Sequence, residues 1–174
     1  FDGGMDAQWA TGWVYPTGLK ADHSHVSELQ AYVKGANTRI VDSVMTVQTK
    51  KEKVSAAAWH PTKGMVMQDF AYTSDVWHTK TALPKNVAVL QAKVACSGNA
   101  KHALGLAAMK MEKVLPVLHA ADVKGYAIYT LVWTDKEVVT YVNDQEVARV
   151  KNTWSAEDMY LYMRSYLPQN EKAS

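Results

Sequence analysis

The stretch from Gly125 to Val150, GYAIYTLVWTDKEVVTYVNDQEVARV, decides the fold class. Its first part, Tyr126–Thr134, is rich in β-branched and aromatic residues, which favour strands. Glu137–Val142 and Gln145–Val150 are two more strand-like runs, and Asn143-Asp144 between them is typical of a two-residue hairpin turn. The sequence therefore predicts three consecutive strands here, the last two of them forming a hairpin.

Other short strand-like runs continue this pattern towards both ends of the chain. Val87–Cys96 alternates, with Gln91 and Lys93 on one face and Leu90 and Val94 on the other. Further strand-like runs lie at 26–33, 38–41, 44–49, 70–81 and 159–167. Many short strands without a convincing amphipathic helix predict an all-β jelly-roll sandwich of two antiparallel sheets. No repeat or linker interrupts the chain, so we expect one domain, residues 1–174.

Three segments are harder to interpret. The charge run Lys50–Lys53 indicates a loop or a solvated strand end, and Trp59–Gly64 is interpreted as a loop. The composition of His102–Met111, rich in Ala, Leu and Met, taken alone favours a helix.

The composition is that of a soluble globular protein and excludes several classes. Of the 174 residues, 48% are hydrophobic and 21% charged, and the net charge of +2 is too small to indicate a nucleic-acid partner. No apolar run approaches the roughly 20 residues that span a membrane. The chain shows no signal peptide and begins with Phe1, so we expect a mature product or excised domain. Cys96 is the single cysteine, which excludes an internal disulfide and favours a buried thiol.

Five segments resemble, in order, the strand signatures of glycoside hydrolase family 16, the laminarinase and β-glucanase group. They are Phe1–Trp9; Glu28–Tyr32 with Asn37–Val47; Tyr72–Ser74 with Leu90–Val94; Tyr129–Thr134 with Val138–Asn143; and Met159–Met163. The resemblance implies a concanavalin A-like jelly roll with a carbohydrate cleft across its concave sheet. It also implies an extracellular or bacterial cell-surface location.

The resemblance places the family's catalytic strand at Met109–His119. In the family this strand carries two glutamates and an aspartate on one face, and retaining hydrolysis needs two carboxyl groups about 5–5.5 Å apart. The family's three acidic positions can be aligned with this strand in two registers, and neither register leaves a pair of carboxylates. The residues involved are Glu112, Val114, Leu115, Pro116, Val117 and Leu118. We therefore expect a degenerate strand, no catalytic residues and no enzymatic activity.

The same comparison assigns His102–Met109 to the family's tryptophan-rich strand, against its helix-like composition. The sugar-stacking tryptophans of that strand are absent here. This loss weakens the expectation of a glycan cleft as well as that of an enzyme.

Aromatic residues outside that strand are the remaining glycan-binding candidates. Trp59 and Trp77 lie in or beside predicted loops, and Tyr160 and Tyr162 share one face of the last predicted strand. Exposed aromatic rings stack on sugars or anchor protein interfaces, whereas buried ones only fill the core. Both alternatives stay open for these four residues.

Metal binding has only weak support. The loop residues His23 and His25 have a spacing that could bind a metal, but no cysteine or third histidine lies near them. The family often carries a structural calcium, to which Asp2 could contribute, although calcium takes 6–8 oxygen ligands. The resemblance allows this one structural calcium, and we expect no other cofactor.

Three functions follow. The leading hypothesis is a non-catalytic accessory subunit that interacts with a protein partner in an extracellular or outer-membrane assembly. The alternative is a lectin-like module that binds a polysaccharide such as a β-glucan or galactan. The least favoured is an active endo-glycosidase that combines Glu112 with Asp69, Asp75 or Asp122.

Overall fold

The computed structural model describes residues 8–14, 20–21, 24–83, 87–95, 101–108, 125–153 and 158–167. These residues form strands joined by turns and bends, and none of them is helical. In chain order the strands are β1 (Trp9–Thr11), β2 (Trp13–Val14), β3 (Lys20–Ala21), β4 (Ser24–His25), β5 (Gln30–Tyr32), β6 (Thr38–Val41), β7 (Val44–Val47), β8 (Lys50–His60), β9 (Gly64–Ser74), β10 (Val76–Thr79), β11 (Val87–Ala95), β12 (Lys101–Ala108), β13 (Tyr126–Thr134), β14 (Glu137–Val142), β15 (Gln145–Lys151) and β16 (Met159–Tyr166). The described part of the chain holds no helix long and apolar enough to cross a membrane.

The strands pair into larger sheets and two small hairpins. One antiparallel sheet has the order β1-β10-β16-β12, and another has the order β11-β13-β14-β15. A third sheet, β4-β8-β9-β5, is centred on the long antiparallel β8–β9 pair, with β4 and β5 added in parallel. The predicted all-β, jelly-roll class is confirmed.

The three consecutive strands predicted between Gly125 and Val150 are also confirmed. β13, β14 and β15 are consecutive neighbours. Asn143 and Asp144 between β14 and β15 have φ angles of 47° and 64°, the left-handed conformation that a type I′ turn requires. The Asn143 side-chain oxygen accepts a hydrogen bond of 2.9 Å from the Ile128 N–H, which ties the turn to β13. Packing then buries Trp133 and Val138 against Met159 of β16.

Two further strand predictions, for β11 and β12, are also confirmed. β11 alternates as expected, with Leu90 and Val94 half-buried and Gln91 and Lys93 exposed. Lys101–Ala108 is a strand, paired along its whole length with β16. Its helix-like composition is overridden because cross-strand pairing outweighs the small differences in helix propensity.

The interpretation of Trp59–Gly64 as a loop was wrong, whereas Lys50–Lys53 is the solvated strand end that was one of its two predicted alternatives. Lys50–His60 is one strand of 11 residues, and the turn that follows is confined to 61–63. The inward residues Val54, Ala56 and Ala58 alternate and pack with Phe70 and Ala31. The charged residues at the start of β8 lie at a register shift and stay exposed, as expected for a solvated strand end. Similarly, the run 26–33 contains only the short strand β5.

Candidate functional site

Several residues singled out in the sequence lie outside the described residues. They are Asp2, His23, Cys96, Glu112, Val114, Leu115, Pro116, Val117, Leu118 and Asp122. The degenerate catalytic strand and two of the three metal candidates therefore stay predictions.

Trp59 is the exposed member of the aromatic candidates. It is the penultimate residue of β8, not a loop residue, and 40% of its surface is exposed. Met65 of β9 lies directly opposite it. Its indole ring can therefore contact a ligand or a partner.

Trp77 is a packing residue. It lies inside β10, not in a loop, and is 8% exposed. Its indole N–H donates a 2.8 Å hydrogen bond to Thr38 Oγ1. Its ring also packs on Gly35, where a Cβ atom would approach the ring to 3.1 Å. Its ring face is therefore unavailable for stacking on a sugar.

The tyrosine candidates differ in burial. Tyr162 is 1% exposed and lies opposite His78 of β10, whereas Tyr160 is half-buried. Tyr160 and Trp59 are thus the two aromatic candidates that solvent reaches.

His25 lies within a hydrogen-bonded turn. Its backbone N–H donates to Glu28 Oε2 at 2.8 Å. No group of three His, Cys, Asp or Glu side chains suited to a metal occurs among the described residues.

A polar cluster lies where the segment leading into β5 meets β16. We call it the Arg164 cluster, and its members are Glu28, Gln30, Tyr32, Arg164 and Tyr166. The Tyr32 hydroxyl donates to Glu28 Oε1 at 2.8 Å, and Arg164 Nη1 lies 3.4 Å from the same oxygen. The Arg164 guanidinium stacks 4.0 Å from the centre of the Tyr166 ring. Gln30 accepts a 3.0 Å hydrogen bond from the Leu167 N–H, which fixes the end of β16 to β5.

The protonation states in the cluster follow from its burial. Burial raises the pKa of the Tyr32 phenol far above its usual range, and the nearby Glu28 carboxylate raises it further. Burial would lower the pKa of Arg164, but Tyr32 and Glu28 more than compensate, so its pKa is raised. Near neutral pH Tyr32 is therefore a neutral donor and Arg164 a cation.

The chemistry available to the cluster is binding. A planar guanidinium stacked on a tyrosine and paired with a carboxylate can donate to and accept from sugar hydroxyls. The side chains of Arg164 and Glu28 keep 19% and 15% of their surface exposed, so part of each is open to solvent. The cluster contains one carboxylate, whereas glycoside hydrolysis requires two.

This cluster was not predicted as a site from the sequence. The available signal was weak: Glu28, Gln30 and Tyr32 recur at every second position of a mostly apolar segment. Arg164 is also the single charged residue of β16, a strand otherwise rich in tyrosine.

The buried tyrosines predict a loss of stability at alkaline pH. Burial raises the pKa of Tyr162 to about 12, while the unfolded chain ionises near its ordinary value of 10.0. As the pH rises, the Tyr162 phenol therefore loses its proton in the unfolded state before it does so in the folded state. The contribution of Tyr162 to the free energy of unfolding is complete below about pH 10 and is lost between about pH 10 and 12. Denaturant unfolding across this range should show the decline, and Tyr162→Phe should reduce it. An equal decline in Tyr162→Phe would contradict the assignment.

Comparisons with known proteins identify the fold. No family model and no curated protein matches the chain. Among solved structures, κ-carrageenase from Pseudoalteromonas carrageenovora, bound to an oligotetrasaccharide of κ-carrageenan, is similar with a TM-score of 0.63 and 12% identity, over 93% of this chain and 83% of that one. LamAcat from Zobellia galactanivorans has a TM-score of 0.59 and 15% identity, over 92% and 80%.

A third similar structure is the catalytic domain of an endo-1,3-β-glucanase (laminarinase) from Thermotoga petrophila, with a TM-score of 0.59 and 14% identity, over 92% and 81%. At such low identity these similarities establish the fold alone. The chain has the jelly-roll fold of the family 16 laminarinases and carrageenases.

Proposed function

We propose that this protein binds a polysaccharide at the cell surface or outside the cell and does not cleave it. The observation that carries the proposal is the Arg164 cluster, in which a stacked guanidinium and a carboxylate, both partly exposed to solvent, meet the buried phenol of Tyr32. The fold gives further support, since similar structures include a laminarinase and a carrageenase with bound oligosaccharide.

The proposed lack of cleavage rests on the carboxylates. In Met109–His119, Glu112 has no second acid at the positions that would share its strand face. Asp75 is fully buried, with both carboxylate oxygens already accepting hydrogen bonds. Asp69 is exposed on β9 opposite Ser55. Neither of these two aspartates resembles half of a catalytic pair.

A second candidate is an accessory subunit of a surface assembly. The observation that favours it is the outer face of the β8–β9 hairpin, where Trp59, Met65 and Met67 are exposed together. Apolar residues grouped on a surface commonly mark a protein interface.

A binding and cleavage assay separates the candidates. The protein is titrated with β-1,3-glucan and κ-carrageenan by calorimetry, and the same mixtures are assayed for new reducing ends. We expect binding to at least one polysaccharide, without new reducing ends, and the same result for Glu112→Gln. Reducing ends that disappear in Glu112→Gln would identify an active hydrolase. No binding, together with a stable protein partner on purification from the native source, would favour the accessory subunit.

Trp59→Ala shows which surface holds the sugar. Because the proposed site is the Arg164 cluster, we expect the affinity of Trp59→Ala to stay within about twofold of the unmodified protein. A loss of binding in Trp59→Ala would instead place the sugar on the β8–β9 hairpin.

A further inference from the structure

Strand β9 has a long free edge within the described part of the chain. β8 pairs along one side of β9, while β5 pairs on its other side at Tyr72–Ser74 alone. The edge at 64–71 therefore has no neighbour among the described strands. Met65 and Met67 on this edge are 48% and 69% exposed.

Within the described ranges, the edge lacks the usual protection against pairing with another chain. Edge strands are commonly protected by lysines, prolines or bulges. Strand β8 carries Lys50, Lys51 and Lys53 next to a register shift, which protects its own open side. Residues 64–71 carry a single charge, Asp69, and no proline.

The direction of the edge's backbone groups follows from one hydrogen bond. The carbonyl of Trp59 accepts from the Val26 N–H at 3.1 Å, on the side of β8 away from β9. Trp59 and Met65 are therefore a non-hydrogen-bonded pair of the hairpin. Met65 therefore directs its N–H and C=O groups towards the free edge. Because a strand repeats every two residues, Met67 and Asp69 do the same.

We propose that this edge pairs antiparallel with the same edge of a second copy, about a two-fold axis at Val66. Met65 of each copy then lies opposite Met67 of the other, and these pairs exchange N–H···O bonds in both directions. Opposed residues project on the same face, so the methionines meet on the outer face. Lys63, in the turn, comes beside Asp69 of the second copy.

Charge and apolar matching select this register. Moving the axis to Met67 would place Met65 against Asp69 of the second copy and move Lys63 away from that carboxylate. With the axis at Val66, the methionines of one copy lie opposite those of the other. Lys63 of each copy then lies beside Asp69 of the other, so the pair of opposite charges occurs twice. The proposal does not depend on glycan binding.

A cysteine placed on the axis tests the geometry. In a Cys96→Ser background, Val66→Cys brings two Cα atoms to about 4.5 Å, the spacing of a non-hydrogen-bonded pair and within the range of a disulfide. We expect mild oxidation to yield a covalent dimer of twice the 19.3 kDa chain mass. Ser55→Cys is the control, since it is exposed on β8 and off the edge. Cross-linking of Val66→Cys no greater than that of Ser55→Cys would overturn the proposal.

Charge exchange tests the register without engineered cysteines. Sedimentation equilibrium of the unmodified chain should show a monomer–dimer equilibrium. Lys63→Glu and Asp69→Lys should each weaken the dimer about threefold or more, and the double variant should restore it, because it only exchanges the charges. A monomer at all concentrations, or a double variant no better than the single ones, would overturn the proposal. Circular dichroism confirms that each variant is folded.

Discussion

Replacing Asp75 by alanine is expected to lower the free energy of unfolding by about 3–5 kcal/mol. Asp75 is fully buried between β9 and β10. Its carboxylate accepts hydrogen bonds of 2.8 Å from the Gly35 N–H, 2.8 Å from the Asn37 N–H and 2.7 Å from the Thr38 hydroxyl. Each donor left without a partner costs about 1–3 kcal/mol, reduced where water can replace the carboxylate.

The effect extends to Trp77, since the same turn supports its ring. Thr38 accepts the hydrogen bond of the Trp77 indole, and Gly35 packs against that ring. Asp75→Ala should therefore loosen the turn and the packing of Trp77 together. Urea unfolding followed by circular dichroism, with tryptophan emission as a second probe, measures both.

Two variants serve as controls for Asp75. Asp75→Asn keeps one acceptor oxygen, so we expect its free energy of unfolding to lie between that of Asp75→Ala and that of the unmodified chain. Asp69→Ala removes an exposed carboxylate from β9 and should change the stability by less than about 0.5 kcal/mol at concentrations where the chain is monomeric. A loss below about 1 kcal/mol in Asp75→Ala would contradict this account of the turn.

Replacing Arg164 by methionine is expected to abolish polysaccharide binding and to lower the free energy of unfolding by about 2 kcal/mol. Methionine preserves much of the apolar volume but removes the charge, the stacking on Tyr166 and the contact with Glu28. Glu28 keeps its hydrogen bonds from Tyr32 and His25, which limits the loss of stability. Calorimetric titration and urea unfolding measure the two effects separately.

A double variant separates binding from stability. Glu28→Gln combined with Arg164→Met removes both charges, so we expect it to recover most of the lost stability and none of the binding. Arg164→Lys keeps the charge without the planar group and should bind about tenfold more weakly. Unchanged affinity in the double variant would show that the cluster only supports the fold.

Local patterns predicted much of the fold from the sequence. Alternation and the Asn143-Asp144 turn are short-range signals, so β13–β15 and β11 could be predicted directly. The assignment of Lys101–Ala108 as a strand needed the family resemblance, because its local composition favours a helix. The full length of β8 was not predicted, because its charged start is compatible with a loop as well as with a strand end, and its alternation begins only at Val54.

The candidate site could not be predicted in the same way. Glu28 and Arg164 are 136 residues apart in the chain and meet only through the pairing of distant strands. The burial of Trp77 likewise depends on Gly35 and Thr38, which approach it from another part of the fold. A single sequence contains no local signal for either contact.

We propose that the Arg164 cluster binds a polysaccharide and that the protein does not cleave it. The most direct measurement compares calorimetric titrations of the unmodified chain and of the Glu28→Gln, Arg164→Met variant with β-1,3-glucan and κ-carrageenan. Saturable binding by the unmodified chain that is absent from the equally folded double variant is the predicted result. Equal binding by both proteins, or no binding by either, would contradict the claim.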